Sequence, residues 1–342
     1  MSKAKFVILS TPSMNAMGDQ LSRILTEKIS DSGRKKVEVP HYAVEYTKFA
    51  NGEILPKIPK TVRGLHVFLL AGLQYPEPNI EFMRMLITLN AIKYAHAKTV
   101  RVVLPFCSYL RQDRKDKPRV PITARLVADL MQQECAVKSV ITADMHAEQI
   151  QGFFSIPVDN LLGNKVFIEY VSGCDWFRRE PENVLVLAPD FGAAKRNEKF
   201  ALGLGESAGI TIPVGIVQKH RTGPNIAKVS GIMGPSVVGK IVVSSEDMIC
   251  TGTTAIEVGK EIMAMGAKAF YLCATHAIFS RNAEERFRDS GIQVIATDTI
   301  PRDDTYYAEH ASWLKRVSIV PYLADAMFET MKVGGSISKL YF

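Results

Sequence analysis

The sequence lacks several features that would assign it to a special class of protein. No apolar run approaches the ~18 residues that a membrane-spanning helix needs. The five cysteines (Cys107, Cys135, Cys174, Cys250 and Cys273) are scattered, with no C-x-x-C pair and no metal-ligand spacing, so we expect reduced thiols. The first residues carry no signal-peptide core. We therefore expect a cytoplasmic protein that has no disulfides and does not bind membranes.

A recognisable nucleic-acid-binding signature is also missing. The net charge is +7, but the Lys and Arg residues are spread along the chain instead of forming a basic cluster. We therefore expect anionic small molecules, and not nucleic acid, as the reason for the positive charge, with plain solubility as the alternative explanation. The chain has 342 residues, of which 47% are hydrophobic and 23% charged, so it is long enough to form two α/β domains.

Short apolar runs alternate along the chain with stretches that have the apolar spacing of helices. We predict strands at residues 6–10, 67–72, 100–106, 137–141, 184–187, 212–217, 241–243, 269–274 and 293–297. Helices are predicted at residues 17–29, 79–97, 121–131, 255–262 and 323–331. In the second of these helices we expect a core-facing stripe of Phe82, Met83, Leu86, Leu89 and Ile92. Strands that are apolar throughout are typical of a parallel sheet covered by helices on both faces, which places the chain in the α/β class.

The stretch 240–254 (KIVVSSEDMICTGTT) combines a strand, a carboxylate pair and a loop of small residues before a helix. We call its residues 250–254 the phosphate loop. Backbone N–H groups at the start of a helix, together with threonine hydroxyls, can hold a phosphate. Glu246 and Asp247 can accept hydrogen bonds from vicinal sugar hydroxyls. By itself the loop is a weak signal, because an ordinary strand–turn–helix has the same pattern.

Polar segments come directly after several other predicted strands. They are residues 109–119, 142–154, 189–196 and 218–225. The carboxyl ends of the strands are where ligands bind in open α/β sheets. Solvated loops and a charged surface hairpin are the alternative interpretations of these segments.

Residues 49–53 (FANGE) contain the Asn-Gly pair that favours a tight hairpin turn. From this pattern alone we expect a plain hairpin with Phe49 in the core. The alternative is an exposed Phe49 at a hairpin tip that reaches a neighbouring site and stacks on a purine.

These segments together resemble the ribose-phosphate pyrophosphokinase (5-phosphoribosyl 1-pyrophosphate, PRPP, synthetase) family over nearly the whole chain. The matching segments are FANGE, YLRQDRK…PRVPITARLVADL, DMHAEQIQGFFSIPVDNL, APDFGAAKR, KHR, EDMICTGTT, THAIFS and TDTIP. DMHAEQIQGFF with PVDNL is the most specific of them. The resemblance implies two phosphoribosyltransferase-like α/β domains at residues 1–161 and 162–321. The C-terminal helix and tail at 322–342 are expected to pack on the first domain.

The resemblance also implies a role for each matched residue. The residues implied to bind ATP are Phe49, Asn51, Glu53, Arg111, Gln112, Asp116 and His146. Those implied for the ribosyl phosphate are Asp190, Glu246, Asp247, Cys250, Thr251, Gly252, Thr253 and Thr254. His146 and Asp190 resemble the Mg²⁺ ligands, and Lys219 and Arg221 the catalytic cations of a mobile loop.

The implied reaction is attack by the C1 hydroxyl of ribose 5-phosphate on the β-phosphorus of ATP, with AMP as the leaving group. The protein's work is to position the reactants and to neutralise growing negative charge with Mg²⁺ and the two cations. The resemblance further implies a dimer-based homo-oligomer, commonly a hexamer, with an ATP site lying partly between subunits.

The phosphate loop departs from the family pattern Asp-Asp-x-x-Asp-Thr-x-Gly-Thr. Cys250 replaces the third Asp, and the glycine stands at Gly252 instead of position 253. One interpretation is a PRPP synthetase that tolerates the change. A second is the same chemistry on a 5-substituted ribose such as ADP-ribose, since losing a carboxylate eases repulsion of an extra phosphate. A third, a non-catalytic regulatory relative, is the weakest, because such a protein has no reason to keep the metal-ligand and cation positions. We favour the first interpretation.

Overall fold

The computed structural model describes residues 6–31, 38–74, 76–223 and 226–340, with the backbone alone for residues 134, 219–223 and 226–230. The chain divides into two compact units. Unit 1 comprises Met1–Leu162 together with Val320–Phe342, and unit 2 comprises Gly163–Ile319. No helix among the described residues is long and apolar enough to span a membrane.

Unit 1 is built on a sheet of six parallel strands, with a separate two-stranded hairpin. The strands are β1 (Phe6–Ser10), β2 (His41–Ala43), β3 (Glu45–Lys48), β4 (Ile54–Lys57), β5 (His66–Leu70), β6 (Thr99–Leu104), β7 (Ser139–Ala143) and β8 (Val158–Leu161). The six-stranded sheet has the order β2-β1-β5-β6-β7-β8, and β3 pairs with β4 in the antiparallel sense. The helices of this part of the chain are α1 (Asn15–Asp31), α2 (Pro78–Tyr94) and α3 (Thr123–Asp129).

One face of the unit 1 sheet packs against α2, and this packing corrects the predicted helix stripe. Met85, Leu89 and Ile92 are fully buried in the same cluster as alternate residues of β5 and β6. Met83, which we expected to face inward, is 51% exposed. The buried stripe repeats at intervals of three and four residues, so a residue two positions before Met85 points away from the sheet.

Unit 2 contains a mixed sheet of seven strands. Its strands are β9 (Val184–Ala188), β10 (Val214–Gly223), β11 (Ile226–Met233), β12 (Ile241–Ile249), β13 (Ala269–Ala277), β14 (Gln293–Thr297) and β15 (Leu314–Val317). The order is β11-β10-β9-β12-β13-β14-β15, and every pair is parallel except β10 with β11. The helices are α4 (Gly163–Gly173), α5 (Asp175–Arg179), α6 (Ala194–Ala208), α7 (Thr253–Ala264), α8 (Ala283–Arg288) and α9 (Asp304–Glu309).

Apolar residues occupy both faces of the unit 2 strands, because helices cover the sheet on both sides. Val242 and Leu272 pack with residues of α7 and α8. Val243 and Cys273, the next residues along the same strands, pack with residues of α4 and α6. The predicted α/β class, with mostly parallel sheets flanked by helices, is confirmed.

Three strands of unit 2 extend at least three residues beyond their predicted ends, and one of them, β13, runs to Ala277. β12 continues through Glu246 and Asp247, because it stays paired with β13 as far as Ile249 and Ala277. β10 continues to Gly223 and pairs with β11, so most of the predicted loop at 218–225 is hairpin strand. The hydrophobic pattern missed these extensions because most of their residues are polar, although Ile249 at the end of β12 is buried.

The C-terminal helix α10 (Val320–Thr330) belongs to unit 1. It lies against α1 and contacts β7. An ion pair of 2.7 Å joins Lys28 of α1 to Asp325 of α10. The last part of the chain therefore completes a face of the first sheet.

Candidate active site

The phosphate loop turns sharply between β12 and α7. Gly252, directly before the helix, has φ 70° and ψ −2°, the left-handed conformation that glycine adopts most readily. Its carbonyl accepts the N–H of Ile256 at 2.9 Å and so begins the hydrogen bonding of α7. A Cβ atom at this position would lie 2.4 Å from the ring of Phe287. Both the dihedral angle and the available space require glycine here.

The segment after β13 holds one wall of the phosphate loop. The N–H of Ser280 donates to the Cys250 carbonyl at 2.9 Å, and the Cys250 Sγ lies 3.5 Å from the Ser280 Oγ. The hydroxyls of Thr251 and Thr253 are 3.3 Å apart, and Thr254 is exposed. The predicted loop residues are thus together, and Cys250 presents its thiol to Ser280.

Arg286 on α8 reaches the same loop, and sequence reasoning did not select it. Its Nη1 donates to the Thr253 Oγ1 at 2.8 Å, and its Nη2 donates to the Thr251 carbonyl. Its position in an ordinary charged helical segment gives no sequence signal of this contact.

The carboxylates predicted to bind the sugar lie on two neighbouring strands. Glu246 and Asp247 are half-buried near the end of β12. Asp190 follows β9, the next strand of the sheet, and is exposed. Its Oδ1 accepts the N–H of Ala193 at 3.1 Å and so fixes the turn that starts α6. Phe191, the residue after Asp190, is 62% exposed.

Asn197 of α6 joins these two strand ends, and it too was not selected from the sequence. It is fully buried. Its Nδ2 donates to the carbonyls of Ala193 and Ser245 at 3.0 Å each, and its Oδ1 accepts the Ser245 N–H at 2.8 Å. The Ser245 hydroxyl in turn donates to the Asn164 Oδ1 at 2.6 Å. The turn after Asp190 and the residue before Glu246 are therefore fixed by one amide side chain.

The predicted catalytic cations lie at the same edge of the sheet. β10 pairs with β9 up to Ile216 and Ala188, so Lys219 and Arg221 lie beyond the last residue of β9. Only their backbone belongs to the described part of the chain. Because parallel strands present their carboxyl ends at one edge, unit 2 gathers the cation-bearing hairpin, the carboxylates and the phosphate loop there.

In unit 1, the hairpin of β3 and β4 carries Phe49, Asn51 and Glu53 at its tip. Phe49 is 47% exposed, so the expectation that it lies in the core is wrong. The hairpin is anchored on α2, where the Tyr46 hydroxyl lies 2.6 Å from the Thr88 Oγ1, and the tip extends past the last strand pair. The Asn51 Oδ1 accepts the Glu53 N–H at 3.2 Å and holds the turn.

The remaining ATP-binding candidates come after β6 and β7. Arg111, Gln112 and Asp116 are all exposed after β6. The Gln112 carbonyl accepts the Ala124 N–H at 3.2 Å, and its side-chain Oε1 accepts the Thr123 hydroxyl. Gln112 therefore fixes the start of α3.

His146 follows β7 and is exposed. The N–H of Met145, the residue before it, donates to the Asn160 Oδ1 at 2.9 Å. Asn160 lies in β8 and is 2% exposed. The buried amide therefore orients the turn that carries the histidine.

The two predicted Mg²⁺ ligands, His146 and Asp190, belong to different units. Within the described ranges, no group of three or more His, Cys, Asp or Glu side chains could hold a metal ion. Mg²⁺ is usually held by one or two protein carboxylates together with substrate phosphates and water. An exposed carboxylate at a strand end, as at Asp190, fits this mode of binding.

Comparison with protein-family models gives two matches. Residues 8–134 match the N-terminal domain of ribose phosphate pyrophosphokinase. Residues 207–342 match the phosphoribosyl synthetase-associated domain.

Comparison with individual proteins gives relatives that span most of the chain. The chain is 38% identical to the ribose-phosphate pyrophosphokinase of Aquifex aeolicus over 298 residues, 86% of this chain and 89% of the relative. It is 37% identical to that of Thermotoga maritima over 323 residues, 93% and 95% of the two chains. The crystal structure of phosphoribosylpyrophosphate synthetase from Mycobacterium smegmatis superposes with a TM-score of 0.77 at 29% identity, covering 95% of this chain and 98% of that one. The chain is therefore an enzyme that belongs to the ribose-phosphate pyrophosphokinase family.

Proposed function

We propose that the enzyme transfers the β,γ-pyrophosphoryl group of ATP to the C1 hydroxyl of ribose 5-phosphate, giving PRPP and AMP. The observation that carries this proposal is the edge of the unit 2 sheet. There Asp190, Glu246 and Asp247 stand beside a loop of threonine hydroxyls and helix N–H groups. This arrangement offers acceptors to sugar hydroxyls and donors to a phosphate on one surface. The names of the full-length relatives support the same activity.

Unit 2 holds the acceptor in this proposal. Glu246 and Asp247 accept hydrogen bonds from the 2- and 3-hydroxyls, and residues 250–254 bind the 5-phosphate. Fixing the ribose at both ends orients its C1 hydroxyl for in-line attack. Lys219 and Arg221 stabilise the charge that develops on the transferred group.

Unit 1 supplies the ATP-binding residues. Phe49 provides an exposed aromatic face for adenine, with Asn51 and Glu53 beside it, and Arg111, Gln112, Asp116 and His146 bind the nucleotide. Mg²⁺ ions, when bound, neutralise phosphate charge, and His146 and Asp190 are each proposed as a ligand of such an ion. Because Phe49 projects from a hairpin tip, we propose that it serves the site of a neighbouring subunit in a dimer-based homo-oligomer, with a hexamer as the expected assembly.

A second candidate acceptor is a 5-substituted ribose such as ADP-ribose. The observation that favours it is Cys250, which is half-buried and places a thiol near Ser280. A carboxylate at this position would repel an additional phosphate on the acceptor. A thiol does not, and it leaves more space beside the loop.

Measuring AMP release from ATP and Mg²⁺, with ribose 5-phosphate and ADP-ribose as parallel acceptors, tests these proposals. Turnover with ribose 5-phosphate alone supports PRPP synthesis, and turnover with ADP-ribose alone identifies the second acceptor. Cys250→Asp is the matched variant. It should lower kcat/KM for ADP-ribose by about tenfold relative to ribose 5-phosphate if the thiol sets acceptor choice. If folded protein releases no AMP with either acceptor, both proposals are contradicted and the regulatory interpretation is favoured.

A further inference from the structure

The geometry points to Arg286 as a positioning residue for the phosphate loop, a role that rests on the proposed binding of a ribosyl phosphate there. The guanidinium bridges two groups of the loop, the Thr251 carbonyl and the Thr253 hydroxyl. It is half-buried and lies 33 residues along the chain from Thr253. We propose that this bridge orients the donors of the loop toward the phosphate.

The first effect is on the backbone of the loop. In a trans peptide the carbonyl and the following N–H point in opposite directions. By holding the Thr251 carbonyl on the side of α8, Arg286 turns the Gly252 N–H to the opposite side. A carbonyl directed at a bound anion would repel it, so the bridge removes an acceptor from the cradle and leaves a donor.

The second effect is on the Thr253 hydroxyl. Its oxygen accepts a charge-assisted hydrogen bond from the Arg286 Nη1 at 2.8 Å. The hydroxyl proton is then directed at another acceptor, either the Thr251 Oγ1 at 3.3 Å or a phosphate oxygen. Because hydrogen bonds in a chain polarise one another, the cation also makes this hydroxyl a stronger donor.

The helix that carries Arg286 is fixed by the core. The next residue, Phe287, is fully buried, and its ring stacks on Trp313 with centroids 5.4 Å apart and planes at 8°. The same ring lies against Gly252 and excludes a side chain there. Consecutive residues of α8 thus set the loop, one by steric contact and the other by hydrogen bonds.

The charge of Arg286 is not neutralised by an ion pair with a carboxylate in the described part of the chain. None of the ion pairs formed by the residues that the structure describes involves it. The neighbouring wall carries the thiol of Cys250. The positive potential of the guanidinium is therefore available to an anion bound by the loop.

The test measures KM for both substrates and kcat in Arg286→Ala and Arg286→Lys, with Arg288→Ala as the control because Arg288 is an exposed arginine on the same helix. The acceptor is ribose 5-phosphate or ADP-ribose, whichever the wild-type enzyme turns over. Arg286→Ala should raise KM for the acceptor by about 10- to 100-fold, the cost of losing hydrogen bonds from a charged group. The KM for ATP should stay within about twofold, since the substitution removes no proposed ATP contact.

Arg286→Lys should fall between wild type and Arg286→Ala, because one ammonium cannot reproduce the bridge of a planar guanidinium. Arg288→Ala should match wild type. The thermal shift produced by the acceptor alone gives an independent readout, and Arg286→Ala should lose most of it. If Arg286→Ala does not fold, Arg286→Lys, which keeps the charge, provides the test, and its KM for the acceptor should lie above that of the wild type.

An unchanged KM for the acceptor in both Arg286 variants overturns the inference. So does an equal rise in both KM values with a matching loss of stability, which identifies a purely structural role. A wild-type enzyme that neither binds nor turns over either acceptor overturns the proposed function first, before any variant is made, and this inference with it.

Discussion

The two units contain the same arrangement of six parallel strands. They differ in the segment that follows the third of these six strands, counted in chain order. In unit 1 that strand is β5, and residues 71–74 after it are buried, with Ala71 and Leu73 fully so. In unit 2 it is β12, and the chain continues into half-buried carboxylates and the phosphate loop. The same position in one topology is core in one unit and candidate site in the other. Topology therefore provides the edge where a ligand can bind, and loop chemistry decides whether it does.

A second difference lies in the hairpins, which in both units come before the third strand of the shared arrangement. In unit 1, β3 and β4 form a sheet of their own, with an exposed aromatic at the tip. In unit 2, β10 itself continues into a hairpin with β11 that carries two predicted cations. We infer that the first hairpin binds a base and the second stabilises charge, a division that substitutions can test.

The largest expected effect is on catalysis by the unit 2 hairpin. Lys219→Ala and Arg221→Ala should each lower kcat by about 100- to 1,000-fold, because each removes a charge that stabilises the transition state. The KM values should change only modestly. Steady-state kinetics of AMP release measures both parameters.

The matched control is Lys57→Ala, which removes an exposed cation from the unit 1 hairpin. Its kcat should equal that of the wild type. Unchanged kcat in both unit 2 variants would remove the catalytic assignment and the proposed difference between the hairpins.

The next effect is on the amide that joins two strand ends in unit 2. Asn197→Ala removes three hydrogen bonds, two of them buried, and leaves the Ser245 N–H without its acceptor. We expect a loss of about 2–3 kcal/mol in the free energy of unfolding and a raised KM for the acceptor. Denaturant unfolding and steady-state kinetics measure the two quantities.

Glu198→Ala, at the exposed neighbouring position of α6, should change the unfolding free energy by less than about 0.5 kcal/mol. An Asn197→Ala protein as stable as the Glu198→Ala protein would contradict the role of the buried amide.

A smaller effect is expected at the unit 1 hairpin. Phe49→Ala should raise KM for ATP by about 2- to 10-fold, the range of an aromatic stacking contact. The melting temperature should not change, because the ring is already 47% exposed. Leu55→Ala, on the same hairpin and 53% exposed, is the control and should leave both quantities unchanged. A fall in melting temperature without a change in KM would place Phe49 in a packing role.

The smallest effect concerns half-buried carboxylates, and among the described residues each unit has one whose pKa is raised. Burial raises the pKa of Asp298, although the Ile319 N–H donates to it at 2.8 Å. Since the folded-state pKa is raised, the protonated carboxyl stabilises the fold at low pH. That contribution is lost as pH rises from the unfolded-state value near ~4 through the folded-state pKa.

Asp298→Asn should therefore be more stable than the wild type at neutral pH, with a difference that shrinks as pH falls. Burial also raises the pKa of Asp159 in unit 1, where the positive charge of Arg101 opposes the shift. Asp159→Asn should gain less stability at neutral pH than Asp298→Asn, because it leaves the half-buried Arg101 without its carboxylate. Melting temperatures between about pH 4 and 8 test both variants across the expected range. A gain in melting temperature that is larger at acid pH than at neutral pH would contradict this prediction.

The sequence by itself determined the α/β class and the order of strands along the chain, because buried parallel strands must be apolar and short. It also located the candidate site segments, since polar residues directly after such strands fall at the ligand-binding edge. The specific segments, such as the one around His146, were enough to predict the family.

Only the tertiary structure decided which side chains support that edge. Asn197 bonds a strand residue 48 positions away, and Arg286 bonds the phosphate loop from 33 positions away. It also decided that Phe49 is exposed and that β12 extends through its carboxylates. Local patterns report the periodicity of burial, whereas hydrogen-bond partners and strand lengths depend on residues that meet only when the chain folds.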